Sequence, residues 1–170
     1  GRARLDGRWT MKIGLVLREL HRSESDLAHE LLQVSDRHKV DHEIFYVARD
    51  LAAWSQDHVR EIAQVARDYG EELDPDADGE GGVATAVRDR ASELVGRLSI
   101  PGLLLLRDLR EVYVKASGVS VDWEMLAQAA QGIKHTDLLD VTARCHPQTL
   151  RQVRWANGKL KESSTQVLVS

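Results

Sequence analysis

The stretch that decides the fold is Ile13–Val34, IGLVLRELHRSESDLAHELLQV, followed across a short turn by Ile44–Tyr69, IFYVARDLAAWSQDHVREIAQVARDY. In the first segment apolar residues step by alternate fours and threes through Ile13, Leu17, Leu20, Leu27, Leu31 and Val34, which is one face of a helix. One position, Glu24, breaks the series. In the second segment the same stepping runs through Ile44, Ala48, Leu51, Ser55, His58, Ile62, Val65 and Tyr69, so a histidine stands where leucine is expected. A turn near Asp41 sets residues equidistant from it face to face. It therefore pairs Glu24 with His58 and His21 with Glu61, a mirrored His-x-x-Glu layer inside a helical hairpin.

The wider sequence bounds what such a layer can belong to. A chain of 170 residues has room for one buried core and is too short for two ordinary domains. No uninterrupted apolar run is long enough to cross a bilayer, so no membrane span is expected. A net charge of −4 leaves no electrostatic footprint for nucleic acid. Arg144, Arg151, Arg154, Lys159 and Lys161 make the last helix locally basic, which is read as a solvated face. Cys145 is the only cysteine, excluding an internal disulfide and a cysteine-rich zinc site and fitting a reducing, cytoplasmic location. Residues 1–10 precede a methionine, carry charges in no helical pattern, and are read as a disordered N-terminal extension outside the fold.

The periodicity predicts an all-α chain of four long helices. The first runs from about Met11 to His38 and the second from about Asp41 to Tyr69, with Gly70 as its C-terminal stop. Glu71–Gly82 is acidic, contains Pro75, and reads as a loop. Thr85 then caps a short amphipathic helix, Ala86–Leu98, within a crossover spanning 71–102. In the third helix the series Leu105, Leu109, Val112, Ala116, Val119, Trp123, Leu126, Ala130 and Ile133 passes through Gly118 without losing phase. The expectation is one helix with a kink or bulge near Ser117–Ser120; a full break with Ser120 as a new cap is the alternative. The fourth helix starts at Thr136, carries Leu139, Ala143, His146, Leu150, Val153, Asn157 and Leu160 as its stripe, and is kinked or restarted at Pro147. A single helical domain over 11–164 is followed by a tail, 165–170.

A long crossover between two antiparallel hairpins places the third helix parallel to the second, which is the ferritin-like arrangement of a four-helix bundle. That geometry brings His146, and with it Asp122, to the level of Glu24 and His58. The chain resembles the ferritin-like superfamily, most closely over Leu20–Gly70, where it is similar to small bacterial ferritin-like proteins. The resemblance implies a metal centre in which the first and third helices each give a glutamate and the second and fourth each give Glu-x-x-His. Glu24 matches the first glutamate, His58 the histidine of the second motif, and His146 the histidine of the fourth. Ser55 and Ala143 replace the motif glutamates, and Glu111 and Glu124 lie off the third helix's seam.

A di-iron centre needs several carboxylates, so the reduced set Glu24, His58 and His146 is expected to hold one iron or zinc ion or none, with Asp122, His21 and Glu61 as neighbouring candidates. The competing reading is a buried Glu24–His58 pair flanked by His21–Glu61, with no metal, because isolated buried charges are costly. The functional expectation is a non-enzymatic scaffold or interaction protein. Its alternative is a metal-binding ferritin-like protein with an oxidase, iron-handling or stress role, and a third idea is haem held between His58 and the tryptophans.

Other chemical-looking residues read as structural. His38 and His42 straddle the first turn, where capping and dipole roles suit them. Cys145 reads as a packing residue rather than a nucleophile. The third helix carries a second apolar set, Leu104, Leu106, Val114 and Val121, and the second helix adds Phe45, Val47 and Trp54. Together they exceed what a soluble monomer exposes, so a symmetric homodimer is expected.

Overall fold

A computed structural model describes residues 7–77 and 102–170, with side chains from Trp9 onward. The crossover helix expected over Ala86–Leu98 lies outside the described residues, as do residues 1–6 of the extension. The described residues form four α-helices and no strand: α1, Gly7–Arg37; α2, His42–Ala66; α3, Leu103–Ile133; and α4, Thr136–Leu168. None of these helices is long and apolar enough to cross a membrane. The principal packing runs α1 on α2, α3 on α4, α1 on α3 and α2 on α4, a closed ring around one core.

The seams read from periodicity are buried in the first three helices. On α1, Leu17, Leu20, Leu27, Leu31 and Val34 are fully buried, and Glu24 is buried among them. On α2 every residue of the expected stripe, from Ile44 to Tyr69, is buried, Ser55 and His58 included. Each such leucine contributes roughly 1.5–3 kcal/mol by leaving water. α1 begins at Gly7, ahead of the expected Met11, and Trp9 packs against the core. α3 continues as α-helix through Gly118 without a break or bulge, with Val112, Ala116, Val119, Trp123 and Leu126 buried in phase. Pro147 likewise leaves α4 uninterrupted.

The turns follow from local chemistry. Asp41 caps α2 by accepting from the Ile44 amide at 3.1 Å, a contact worth about 1 kcal/mol. After α2, a 3-10 turn over Arg67–Tyr69 ends at Gly70, whose φ of 76° lies in the left-handed region where glycine is unstrained. The chain then doubles back along α1. Arg18 bonds Glu71, His21 Nε2 bonds the Asp74 carbonyl at 2.6 Å, and His29 Nε2 bonds the Ala77 carbonyl at 3.1 Å. Between α3 and α4, Lys134 at φ 56° reverses the chain, and the His135 amide closes on the Ala130 carbonyl at 3.1 Å.

α4 corrects the expectation most. Its buried face is Leu138, Val141, Thr142, Cys145, Thr149, Gln152, Ala156, Lys159 and Ser163, centred one residue out of register from the apolar stripe. Leu139, Leu150, Val153 and Leu160 are only half-buried, and Ala143 is exposed. The true seam is small and polar between its ends: Thr142 and Thr149 bond carbonyls of their own helix, and other polar groups reach α2. Gln152 Nε2 donates to the Leu51 carbonyl and to Ser55 Oγ, each at 2.8 Å, and Lys159 Nζ donates to Glu43 at 2.7 Å. Hydrogen-bonded polar groups can be buried at little net cost, and apart from Gln152 Oε1 these have partners, so hydrophobicity alone misplaces this face by about 100°.

Candidate functional site

The central layer forms where α1 and α2 face each other. Glu24 is 0 % exposed and His58 1 %, and His58 Nδ1 is hydrogen-bonded to Glu24 Oε2. The second ring nitrogen, Nε2, faces the Gln148 side-chain oxygen at 2.7 Å. Trp123 from α3 meets the imidazole edge to face, with ring centroids 6.1 Å apart and planes at 83°. Four helices therefore supply Glu24, His58, Trp123 and Gln148. Glu24 Oε1 and the Trp123 indole N–H are buried without a hydrogen-bond partner.

The rest of the expected layer is placed elsewhere. His146 bonds Ser120 Oγ at 3.1 Å across the α3–α4 contact, and Gln148 takes the place beside His58. This is the one-residue rotation of α4 again. Asp122 is half-buried in a surface groove between α1 and α3 with Ser23, Asp26 and Gly118. His21 is buried against the returning chain at Asp74. Glu61 accepts from Arg144 at 2.7 Å and from the Cys145 thiol at 3.1 Å on the α4 side. His38 also turns from its own helix end: His38 Nε2 and Arg37 hold the buried Asp108 of α3 at 2.7 and 2.9 Å.

The electrostatics of the layer follow from burial and proximity. Burial alone would lower the pKa of His58, but the Glu24 charge and hydrogen bond, then Gln148 and Glu61, outweigh it and hold the imidazole above its ordinary value. Burial holds Glu24 above the usual carboxylate range, against the opposing pull of His58. The pair thus keeps its proton to higher pH than either group would in water. Oxygen acceptors facing both ring nitrogens favour a doubly protonated His58 held against Glu24. The Cys145 thiol is pushed up, by burial first and then by Glu61, which makes it inert as a nucleophile.

A ferritin-type metal centre does not fit these residues. Both ring nitrogens of His58 are engaged, Nδ1 by Glu24 and Nε2 by Gln148. His146 is committed to Ser120, Ser55 to Gln152, and Ala143 faces solvent. Glu24 Oε1 is a buried carboxylate oxygen without a hydrogen-bond partner, but one carboxylate does not make a di-iron ligand set. Among the described residues the one set of three ligand side chains within 4.8 Å of one another is Asp68, His135 and Asp137, at the end of the bundle where α2 stops and α4 starts. Sequence reasoning did not single these out, because each reads locally as a turn or cap residue. No known family model, curated protein or solved structure matches the chain.

Proposed function

We propose that this protein is a ferritin-like helical scaffold without a metal centre in its core, acting through association as a homodimer rather than through catalysis. The residue pairs support two antiparallel hairpins. Ser35–Phe45 and Glu24–His58 descend α1 as they ascend α2. Glu43–Lys159, Ser55–Gln152 and Glu61–Arg144 do the same between α2 and α4. Arg37–Asp108 and Glu30–Lys115 relate α1 to α3 in the same sense. The return of residues 71–77 along α1 is the start that a crossover running the length of the bundle requires.

The observation that carries the association is the outer face of α3. Val114, Val121 and Met125 are 50, 52 and 51 % exposed, and they lie on one helical stripe with the exposed Gly118 at its centre. A Cβ added at Gly118 would meet nothing within 4 Å, so the stripe has a gap flanked by apolar side chains. The adjoining groove, about 260 Å³, is lined by Val114, Lys115, Val119 and Asp122 with Ser23 and Asp26 of α1. A second copy crossing antiparallel at Gly118 fills the gap and sets Lys115 of each copy near Asp122 of the other, which is the self-complementarity a two-fold interface needs. The expected face therefore narrows: Leu104, Leu106, Phe45, Val47 and Trp54 are half-buried, and Val114 and Val121 remain exposed. Light scattering on the full chain tests the reading. A mass of twice 19.1 kDa is expected, falling to the monomer in V121E/M125E with unchanged helicity. A monomer mass for the wild type at every concentration overturns it.

A further inference from the structure

We propose that Asp68, His135 and Asp137 form a binding site for a single divalent transition-metal cation, zinc in particular, at the end of the bundle and independent of the core layer. Three separate elements bring the ligands together. Asp68 comes from the 3-10 turn after α2, His135 from the α3–α4 turn, and Asp137 from the first turn of α4. One ligand atom from each lies within 4.8 Å of the other two. Ions held at about 2.0–2.2 Å draw their ligand atoms to roughly 3–3.7 Å from one another, so a small inward movement completes the shell.

The histidine is oriented for this role. Its Nδ1 is hydrogen-bonded to the Tyr69 hydroxyl, with the two rings edge to face at 5.3 Å. In the tautomer in which Nδ1 donates to the phenol oxygen, Nε2 keeps its lone pair, 3.7 Å from Asp68 Oδ2. That gap exceeds a hydrogen bond and matches the span of two ligands on one ion. An outer partner that fixes the tautomer of a ligating imidazole is the usual companion of such a site. The backbone holds the ring in place, since Lys134 and the His135 amide close the turn on Ala130 and Gln131.

The surroundings favour a cation. A groove of about 260 Å³ beside the cluster is lined by Glu61, Asp68, Asp137 and Asp140, and its single cation, Arg144, is bonded to Glu61. A divalent ion between the Asp68 and Asp137 carboxylates would be attracted by both. Neutral imidazole with two carboxylates suits zinc among the first-row ions, and the open groove leaves room for water to complete the coordination.

Calorimetric titration of zinc chloride into tag-free, chelator-treated full chain tests the proposal. One zinc per chain is expected, with affinity falling at least tenfold in H135Q and in D137N and by less than twofold in D140N, which alters the groove without touching the ligands. Asp137 is exposed, so D137N is expected to keep the wild-type melting temperature in the metal-free state. Zinc should also raise the melting temperature of the wild type and leave that of D137N unchanged. Absence of zinc binding by the wild type overturns the proposal, as does binding that H135Q and D137N leave intact. Either result leaves the dimer reading standing, because that face lies on α3 around Gly118.

Discussion

Replacing His58 with alanine isolates the energetics of the core layer. Glu24 Oε2 has the imidazole as its partner, and Oε1 has none, so H58A leaves both carboxylate oxygens unpaired at a position that is 0 % exposed. Breaking a buried pair by removing one partner costs about 3–5 kcal/mol, and lost contact with the Trp123 ring adds to this. A domain of ordinary stability, about 5–15 kcal/mol, would lose a large share of it. The double substitution E24L/H58L removes both charges and keeps similar volume between Leu20, Leu27 and Ile62. Replacing a buried ion pair by packed apolar side chains is often neutral or stabilising by about 1–4 kcal/mol. Gln148 is half-buried and can turn to water when its partner is lost. Urea unfolding at neutral pH reads both variants by linear extrapolation. H58A should lower the midpoint sharply, and the double variant should stay near the wild type. Equal loss in the two would refute the paired layer, since the damage would then come from shape and not from a stranded charge.

Three further outcomes follow. Because Glu24 and His58 both have folded-state pKa values above their unfolded ones, their contribution is complete below the unfolded values and is lost as pH rises through the folded values. Stability should therefore fall as pH rises above the ordinary range of histidine, and E24L/H58L should flatten that slope; an unchanged slope in the double variant contradicts the assignment. At Gly102, φ is 89° and a Cβ would stand 2.5 Å from Val167 Cγ2, so G102A should cost about 1–3 kcal/mol, whereas G118A in an open helical position should stabilise the monomer fold by about 0.5–1 kcal/mol. Cys145 is buried, with its thiol pKa pushed up, so it should resist Ellman's reagent at mildly alkaline pH until urea unfolds the chain; rapid native labelling would show the α2–α4 seam to be open.

How far the sequence was readable depends on what fills each seam. α1, α2 and α3 are lined by leucine, isoleucine, valine and tryptophan, so their phase is visible, and Glu24 and His58 stand out as the interruptions they are. The continuity of α3 through Gly118 follows from the same phase, whereas the bulge expected near Ser117–Ser120 is not there; the glycine leaves a gap on the outer face of an uninterrupted helix. The pattern of α4 misleads because its buried face includes Thr142, Cys145, Thr149, Gln152 and Lys159, with apolar residues along its flank. The signal that would have corrected it is the small-residue spacing Thr142–Cys145–Thr149–Ala156, together with Ser55, a buried hydroxyl on α2 that needs a donor such as Gln152. That single rotation put His146 at the core layer in place of Gln148 and made a ligand set look half complete. The cluster at Asp68, His135 and Asp137 was hidden for another reason. Its members are distant in sequence and belong to turns, where no periodicity relates one element to the next.

Nitrogen-15 NMR of the His58 ring tests the central claim most directly, that the buried histidine is a charged partner of Glu24 and not a metal ligand. At neutral pH the account predicts two ring N–H groups on His58, at Nδ1 and Nε2, both slow to exchange with solvent and unmoved by added zinc or iron. A neutral ring with one bare nitrogen, or a ring signal that shifts on stoichiometric metal, would contradict it.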